Sequence, residues 1–429
     1  WESCEHGVLY PGWRHHDSVD LAVRLVPSDM ARYFEGALAL NASRTVTEHQ
    51  AALALLNEGP FDFNHVYGHR DGHIGWELYG RLPKRPKDGL FVRDAHDPDA
   101  QWDGFVPFSD MPKILGPERA LVCSANAVTD PDNFAVIATA SHFEPRLRHE
   151  QVEALLAERS DHDVASFRAI QADVRGTYAP ALRDAFCRLT RRQEGAAGRN
   201  GAAFAALRDW DGVFDVDSAG AAVYVLAETE LAKLCFCAVL GSQVGARFAA
   251  TRKARPRIQQ MLVDEADALR AEIEDKARES LEDLAARALT KAAERIESVC
   301  GSDVGRWRWG AIQRVRLGTV LSVIPGIGRR FLALDEPLPG DMYTINPSIN
   351  VPVGKKLISL VGPSTRFICD LGRPDEAWFS HSSGPSGDPG SRFFANLSRP
   401  WIEGEYFRSR LCAADEVEDV VERWTVEPL

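Results

Sequence analysis

The chain has 429 residues, 45% hydrophobic, 26% charged and 9% aromatic, with 33 Gly and 24 Pro. These proportions exclude a disordered, collagen-like or low-complexity chain. The balance of 50 Lys and Arg against 62 Asp and Glu leaves a net charge of -12, which repels phosphate and argues against a nucleic-acid partner. No apolar run is long enough to span a bilayer; the most apolar stretch, around Leu231 to Leu240, is broken by Lys233 and reads as a buried helix.

The length allows about three domains or one large one. Eight cysteines are spread through the chain with no paired CxxC motifs, so neither a disulfide scaffold nor a zinc ribbon is expected. Cys235 and Cys237 lie inside an apolar helical stretch and read as small buried hydrophobes.

In chain order, the first third alternates short apolar runs with the turn dipeptides Asp71-Gly72, Asp88-Gly89 and Asp103-Gly104. Within it, Arg32 to Leu56 is Ala/Leu-rich and predicts two helices joined near Asn41 to Thr45. From Pro145 the pattern is helical: an amphipathic helix over Arg146 to Glu158, another from Val164 to Ile170 and a third around Ala202 to Leu207. Val263 to Ser298, with charges interleaved at helical spacing, predicts one long solvated surface helix or two. From Trp307 the segments Thr319–Ile324, Leu357–Leu360, Phe367–Leu371 and Tyr406 lie among Gly and Pro turns and read as strands. The expected organisation is a sheet-rich part over 1–145, a helical excursion over 146–300 and a β-rich part over 301–429, the two β-rich ends being compatible with one shared sheet.

Common catalytic signatures are missing. Gly301-Ser-Asp-Val-Gly305 carries its Ser in the wrong place for a nucleophile elbow, no phosphate loop or HExxH occurs, and Gly326-Ile-Gly328 lacks the third glycine of a dinucleotide fingerprint. The densest polar cluster runs from Asn64 to Trp76 and holds His65, His69 and His73. Its glycines predict a hairpin turning at Asp71-Gly72, with Arg70 opposite His73 and Asn64 opposite Tyr79. His65 and His69 are then roughly 13 Å apart along one strand face, and His73 is on the other. One ion does not reach all three, which favours solvated or core-edge histidines over a metal site. Asn64 is disfavoured in a strand by propensity, so it either satisfies a local polar contact or donates to a substrate.

The same run resembles the penicillin acylase family of N-terminal nucleophile hydrolases. In that family N-x-x-Y-A-D-x-x-G-x-I-G leads to G-R-x-P-x-R, matched here from Asn64 to Arg85. The similarity continues in order through Trp102-Asp-Gly-Phe-Val-Pro-Phe108, Ser124-Ala125-Asn126, Ala169-Ile-Gln-Ala-Asp-Val-Arg175, Trp210-Asp-Gly212 with Asp217-Ser218-Ala219, and Arg306-Trp-Arg-Trp-Gly310. Gly340-Asp341 to Asn346, Gly362 to Arg366, Ser386 to Pro389 and Trp401 to Tyr406 complete the set.

The resemblance implies an α+β fold, the αββα four-layer sandwich of that superfamily in part, with the helical excursion decorating it. It implies an enzyme that hydrolyses N-acyl amides through an N-terminal Ser. The hydroxyl of that Ser attacks, its own α-amine is the base, and an acyl-enzyme is then hydrolysed. Asn64 matches the side-chain donor of the oxyanion hole, with its carboxamide expected to be buried at a cleft. Arg85 matches an arginine that orients the Asn or binds substrate, with Arg81 as the fallback.

The nucleophile is not in this chain, which therefore reads as the C-terminal part of a large (beta) subunit, inactive alone. Cys4-Glu5-His6-Gly7-Val8 resembles an internal T-R-H-G-P-V segment, so Ser3 and Cys4 are not expected to serve as nucleophiles. The implied partners are an N-acyl amide substrate, a small (alpha) subunit and the preceding part of the large subunit. No catalytic cofactor is implied; a structural calcium belongs to the full-length family and no ligand for it is assigned here. Family members are exported to the periplasm or secreted. Gly68-His69 and Ala127 depart from the family pattern and bear on substrate choice. The competing reading is a relative that kept the fold for binding or structure and lost catalysis.

Overall fold

The computed structural model describes residues 2–10, 20–26, 30–85, 91–116, 121–130, 143–413, 415–417, 420 and 425; the Asp88-Gly89 turn lies outside them. The chain divides into two compact units, Trp1–Ala157 and Glu158–Leu429.

In the first unit, β1 (Ser3–Cys4), β2 (Gly7–Leu9) and β3 (Ala22–Val23) form a small antiparallel sheet. The expected helix pair is present as α1 (Met30–Ala42) and α2 (Val46–Leu56). Thr45 separates them because its hydroxyl accepts the Glu48 N–H while the Glu48 carboxylate accepts the Thr45 N–H, a capping box that starts α2 afresh. Leu53 and Leu56 of α2 pack on Tyr79 at the end of a second antiparallel sheet. That sheet is β4 (Phe63–Gly68), β5 (Ile74–Tyr79) and β6 (Lys113–Leu115), in that order. The predicted amphipathic helix follows as α3 (Leu147–Ala157).

The second unit is organised around helices. α4 (Val164–Ala172), α5 (Ala179–Leu189) and α6 (Arg199–Arg208) precede α7 (Ala219–Leu240), the apolar helix expected from composition. Its buried residues include Val223, Leu226, Leu231, Cys235 and Phe236. Gly220 lets α7 approach closely: a Cβ there would lie 2.3 Å from the Trp210 Cβ.

After α8 (Ser242–Ala249) and α9 (Ala254–Val263), the charge-rich segment forms two helices, α10 (Ala268–Ala277) and α11 (Leu281–Cys300). Arg278, in the left-handed conformation at φ 55°, ends α10, and Ser280 caps α11 by accepting the Asp283 N–H. The solvated-surface expectation is corrected for α11. Leu281, Leu284, Ala288, Ala292 and Ile296 recur every three or four residues and are buried in the same core as α7.

The C-terminal strands form two sheets. One has the order β8 (Leu332–Pro337), β7 (Gln313–Gly318), β10 (Lys356–Val361), β9 (Ile349–Val353), with β7 and β10 parallel. The other is antiparallel: β11 (Thr365–Cys369), β12 (Glu376–His381), β13 (Phe407–Arg410). Two expectations are corrected. Thr319–Ile324 is no strand but holds a single 3-10 turn over Val320–Val323, started by the Thr319 hydroxyl accepting the Leu321 N–H; Val320 and Val323 project outward. And among the described residues no sheet draws strands from both β-rich ends, because each sheet is closed by strands near in sequence.

One buried ionic network ties the helical and β-rich parts of this unit together. Arg255 of α9 donates from Nε to Glu228 of α7 at 2.6 Å and from Nη1 and Nη2 to the two carboxylate oxygens of Asp341 at 2.8 and 3.1 Å. Tyr224 and Gln259 also donate to Glu228, at 2.9 and 2.7 Å, and Tyr178 donates to Asp341 at 2.6 Å. The Gly340-Asp341 motif thus anchors the β-rich region to the helices.

Candidate active site

Asn64 is the second residue of β4 and pairs with Leu78, not Tyr79. The hairpin turns through a three-residue loop, Arg70, Asp71 and Gly72, closed by the His69 N–H donating to His73 O at 2.7 Å. Gly72 takes φ +87°, the conformation such a loop requires and glycine adopts without strain. The expected two-residue turn is therefore corrected by one position of register, and His69 rather than Arg70 opposes His73.

That slip matters because side chains alternate across a strand. In the observed register Asn64, Val66 and Gly68 share a face with Leu78, Trp76 and Ile74. Trp76 is buried, and its indole N–H donates to Asn64 Oδ1 at 3.0 Å. The carboxamide oxygen is thereby occupied and the NH2 end turned outward; among the described residues Nδ2 has no acceptor. The sequence reading missed Trp76 as the orienting residue, since the two-residue turn puts it on the opposite face from Asn64. The expectation of a buried carboxamide is also corrected: Asn64 is exposed in this chain, with the exposed Val66 beside it.

The opposite face of the hairpin lies against α2. Gln50 donates to Glu77 at 3.3 Å, and the Gly80 N–H donates to Asn57 Oδ1 at 2.9 Å. The His49 ring sits 5.0 Å from that of His65 and 4.4 Å from that of Tyr67. Burial, reinforced by the neighbouring His65 and His69, pushes His49 down to about 4, and burial lowers His65 as well. The three histidines of the motif are dispersed: His65 joins this stack, His69 Nε2 bonds Arg44 O at 2.9 Å, and His73 lies at the exposed loop edge.

Arg85 follows a short paired segment in which Lys84 exchanges backbone hydrogen bonds with Asp103 and Gly104. This brings its guanidinium over the Trp102 ring at 5.4 Å, a ring that Arg24 also covers at 4.6 Å. Arg81, the fallback, stands over Phe105 at 4.4 Å. Partial burial lowers the pKa of Arg85 without threatening its charge. Asn64 and Arg85 therefore rest on different supports, Trp76 and Trp102, and share no hydrogen bond.

With this geometry in place, comparison with known proteins decides the family. The model of the penicillin amidase family matches residues 2–417. The chain belongs to the penicillin amidase family. An acyl-homoserine lactone acylase QuiP from Pseudomonas syringae pv. tomato is 29% identical over 351 residues, covering 78% of this chain and 42% of that protein. The QuiP acylase of Pseudomonas aeruginosa is 24% identical over 414 residues, 90% of this chain and 48% of that one. A penicillin acylase 2 proenzyme from Pseudomonas sp. strain SE83 is 26% identical over 365 residues, 80% of this chain and 43% of that one.

The chain thus spans less than half the length of these curated relatives. A solved thermostable penicillin G acylase from Alcaligenes faecalis superposes with a TM-score of 0.62 at 15% identity, over 93% of this chain and 73% of that one. This penicillin amidase chain accordingly shares the mixed α and β fold of that penicillin G acylase. Among its described residues no helix is long and apolar enough to cross a membrane.

Proposed function

We propose that this chain is the C-terminal part of the large subunit of an exported acylase that hydrolyses N-acyl amides, and that Asn64 is its side-chain oxyanion donor. The nucleophile is an N-terminal Ser in the preceding part of that subunit. Its hydroxyl attacks the amide carbonyl while its α-amine takes the proton, the amine leaves, and water hydrolyses the acyl-enzyme. The negative oxygen of each tetrahedral intermediate accepts from Asn64 Nδ2.

The observation that carries this reading is the Trp76 indole bond to Asn64 Oδ1. A donor aimed at developing charge must be held before the charge appears, and a freely rotating carboxamide offers its oxygen as readily as its nitrogen. Trp76 removes that ambiguity. Exposure of Asn64 and Val66 fits a face that the small subunit and the rest of the large subunit cover. Arg85, on its aromatic support, serves as a substrate-orienting cation.

The test is the complete two-subunit enzyme on a chromogenic acyl amide. Asn64→Ala lowers kcat by about 10²–10³, the usual cost of one oxyanion donor. An unchanged kcat refutes the assignment of Asn64, and an inactive complete enzyme refutes the acylase reading itself.

A further inference from the structure

Away from Asn64 and Arg85, the first unit brings together a thiol, an imidazole and a carboxylate. Cys123 lies in the loop over residues 121–130; His149 and Glu153 lie four residues apart on α3, and so on one face of that helix. The Cys123 Sγ is 3.8 Å from His149 Nε2 and 3.9 Å from Nδ1, and His149 Nε2 is 3.6 Å from Glu153 Oε1. One ligand atom from each of the three residues falls within 4.8 Å of the other two.

We infer that Cys123, His149 and Glu153 form a zinc site. Tetrahedral ligands at about 2.0–2.3 Å from Zn²⁺ stand roughly 3.3–3.6 Å from one another, closer than the present separations, which are 3.6 and 3.8 Å from His149 Nε2 and at most 4.8 Å between the other pair. The two cysteine–histidine separations are at the long end of sulfur hydrogen bonds, so no tight S–H···N bond has to be broken for an ion to enter. Thiolate and imidazole together select zinc over calcium or magnesium, which prefer all-oxygen sets.

Charge points the same way. A thiolate beside a carboxylate is repelled without a cation between them; Zn²⁺ with one thiolate, one carboxylate and one neutral imidazole is a neutral set, beside which the Arg146 guanidinium stands on the Glu153 side. On binding, the Sγ–H bond breaks, the sulfur pair goes to the metal and the proton leaves to solvent.

The surroundings are built to hold these ligands. His149 is 2% exposed, whereas Glu153 is 42% exposed, so the site opens toward water on the carboxylate side, where a water takes the fourth position. Glu153 presents Oε1 to His149 while its Oε2 faces Arg146 Nη2 at 3.6 Å, the outer-shell arrangement that fixes a ligating carboxylate. Two arginines strap the cysteine loop to the helix. Arg146 donates to Val128 O, and Arg148 donates to Ala125 O at 3.1 Å and to Asn126 Oδ1 at 2.7 Å. The site needs nothing from the acylase reading and stands apart from it.

The whole chain is titrated with Co²⁺ as a spectroscopic probe, and with Zn²⁺ in competition with a chromogenic chelator. Expected are one tightly bound equivalent, a thiolate-to-cobalt charge-transfer band in the near ultraviolet and the intense visible bands of tetrahedral cobalt. Cys123→Ser abolishes the charge-transfer band. Glu153→Gln keeps that band and weakens zinc binding by about tenfold or more. Circular dichroism of each variant without metal reports whether it folds. Failure to bind one equivalent overturns the proposal. So does a charge-transfer band that survives in Cys123→Ser, which places the metal on another of the eight cysteines, or zinc affinity in Glu153→Gln equal to that of the parent.

Discussion

Arg255→Met tests the reasoning on the buried ionic network most directly. The substitution keeps much of the side-chain volume and removes the cation that faces both Glu228 and Asp341, whose side chains are 0% and 1% exposed. Three charge-assisted hydrogen bonds at 2.6–3.1 Å disappear, and two carboxylates are left in the interior. Removing one partner of a buried ion pair costs about 3–5 kcal/mol, chiefly because the remaining charge is stranded. Here two charges are stranded, while Tyr178, Tyr224 and Gln259 still donate to them and soften the loss. The expected loss at pH 7 is therefore about 4–5 kcal/mol, a large part of a typical stability of about 5–15 kcal/mol.

The variant also acquires a pH signature. Burial already holds the Glu228 carboxyl above its ordinary range, and without Arg255 it holds its proton more tightly still than in the unfolded chain, where a glutamate titrates near 4. A raised folded pKa gives stability that is present below the unfolded value and lost as pH rises. The deficit relative to the parent is thus largest near pH 7 and shrinks toward pH 4. Urea unfolding followed by tryptophan fluorescence, at each pH and for both proteins, measures it. A second variant, Glu228→Gln/Arg255→Met/Asp341→Asn, removes all three charges and is expected to recover at least half of the loss. A loss under about 1 kcal/mol for Arg255→Met at pH 7, or a deficit that grows on acidification, refutes the argument.

Two further predictions follow from the hairpin. His49, held near 4 against an ordinary value of 6.5, is neutral when folded and takes up a proton when unfolded, so its stability contribution is present above pH 6.5 and lost as pH falls toward 4. The full shift is worth about 3 kcal/mol, reduced to about 1–2 kcal/mol because the ring is half exposed and screened; His49→Gln is expected to flatten that slope in urea midpoints between pH 7 and 4.5, and an unchanged slope rejects the assignment. In the complete enzyme, Trp76→Phe keeps the packing ring but frees the Asn64 carboxamide to flip. It is expected to lower kcat by about tenfold with KM nearly constant, and an equal rise in KM at constant kcat assigns Trp76 to substrate binding instead.

Local chemistry made much of this protein legible from its residues alone. The break between α1 and α2 near Asn41 to Thr45, the apolar run of α7, and the Asp-Gly dipeptide of the hairpin each depend on a few residues, where periodicity and glycine backbone freedom decide the outcome. The family resemblance was legible for the same reason, since its motifs lie in order along the chain. Asn64 stood out as a carboxamide in a strand; its orientation was not legible. A three-residue loop instead of a two-residue turn moved the register by one, and only that move brings Trp76 to the same face. Thr319–Ile324 has the composition of a strand, but the Thr319 hydroxyl caps a 3-10 turn there by accepting the Leu321 N–H, which breaks the extended backbone a strand requires. The Glu228–Arg255–Asp341 network joins residues 27 and 86 positions apart, and Cys123 meets His149 across 26. No periodicity encodes such meetings: they depend on which faces the packed helices and strapped loops present to one another, and that is settled by burial of the whole core.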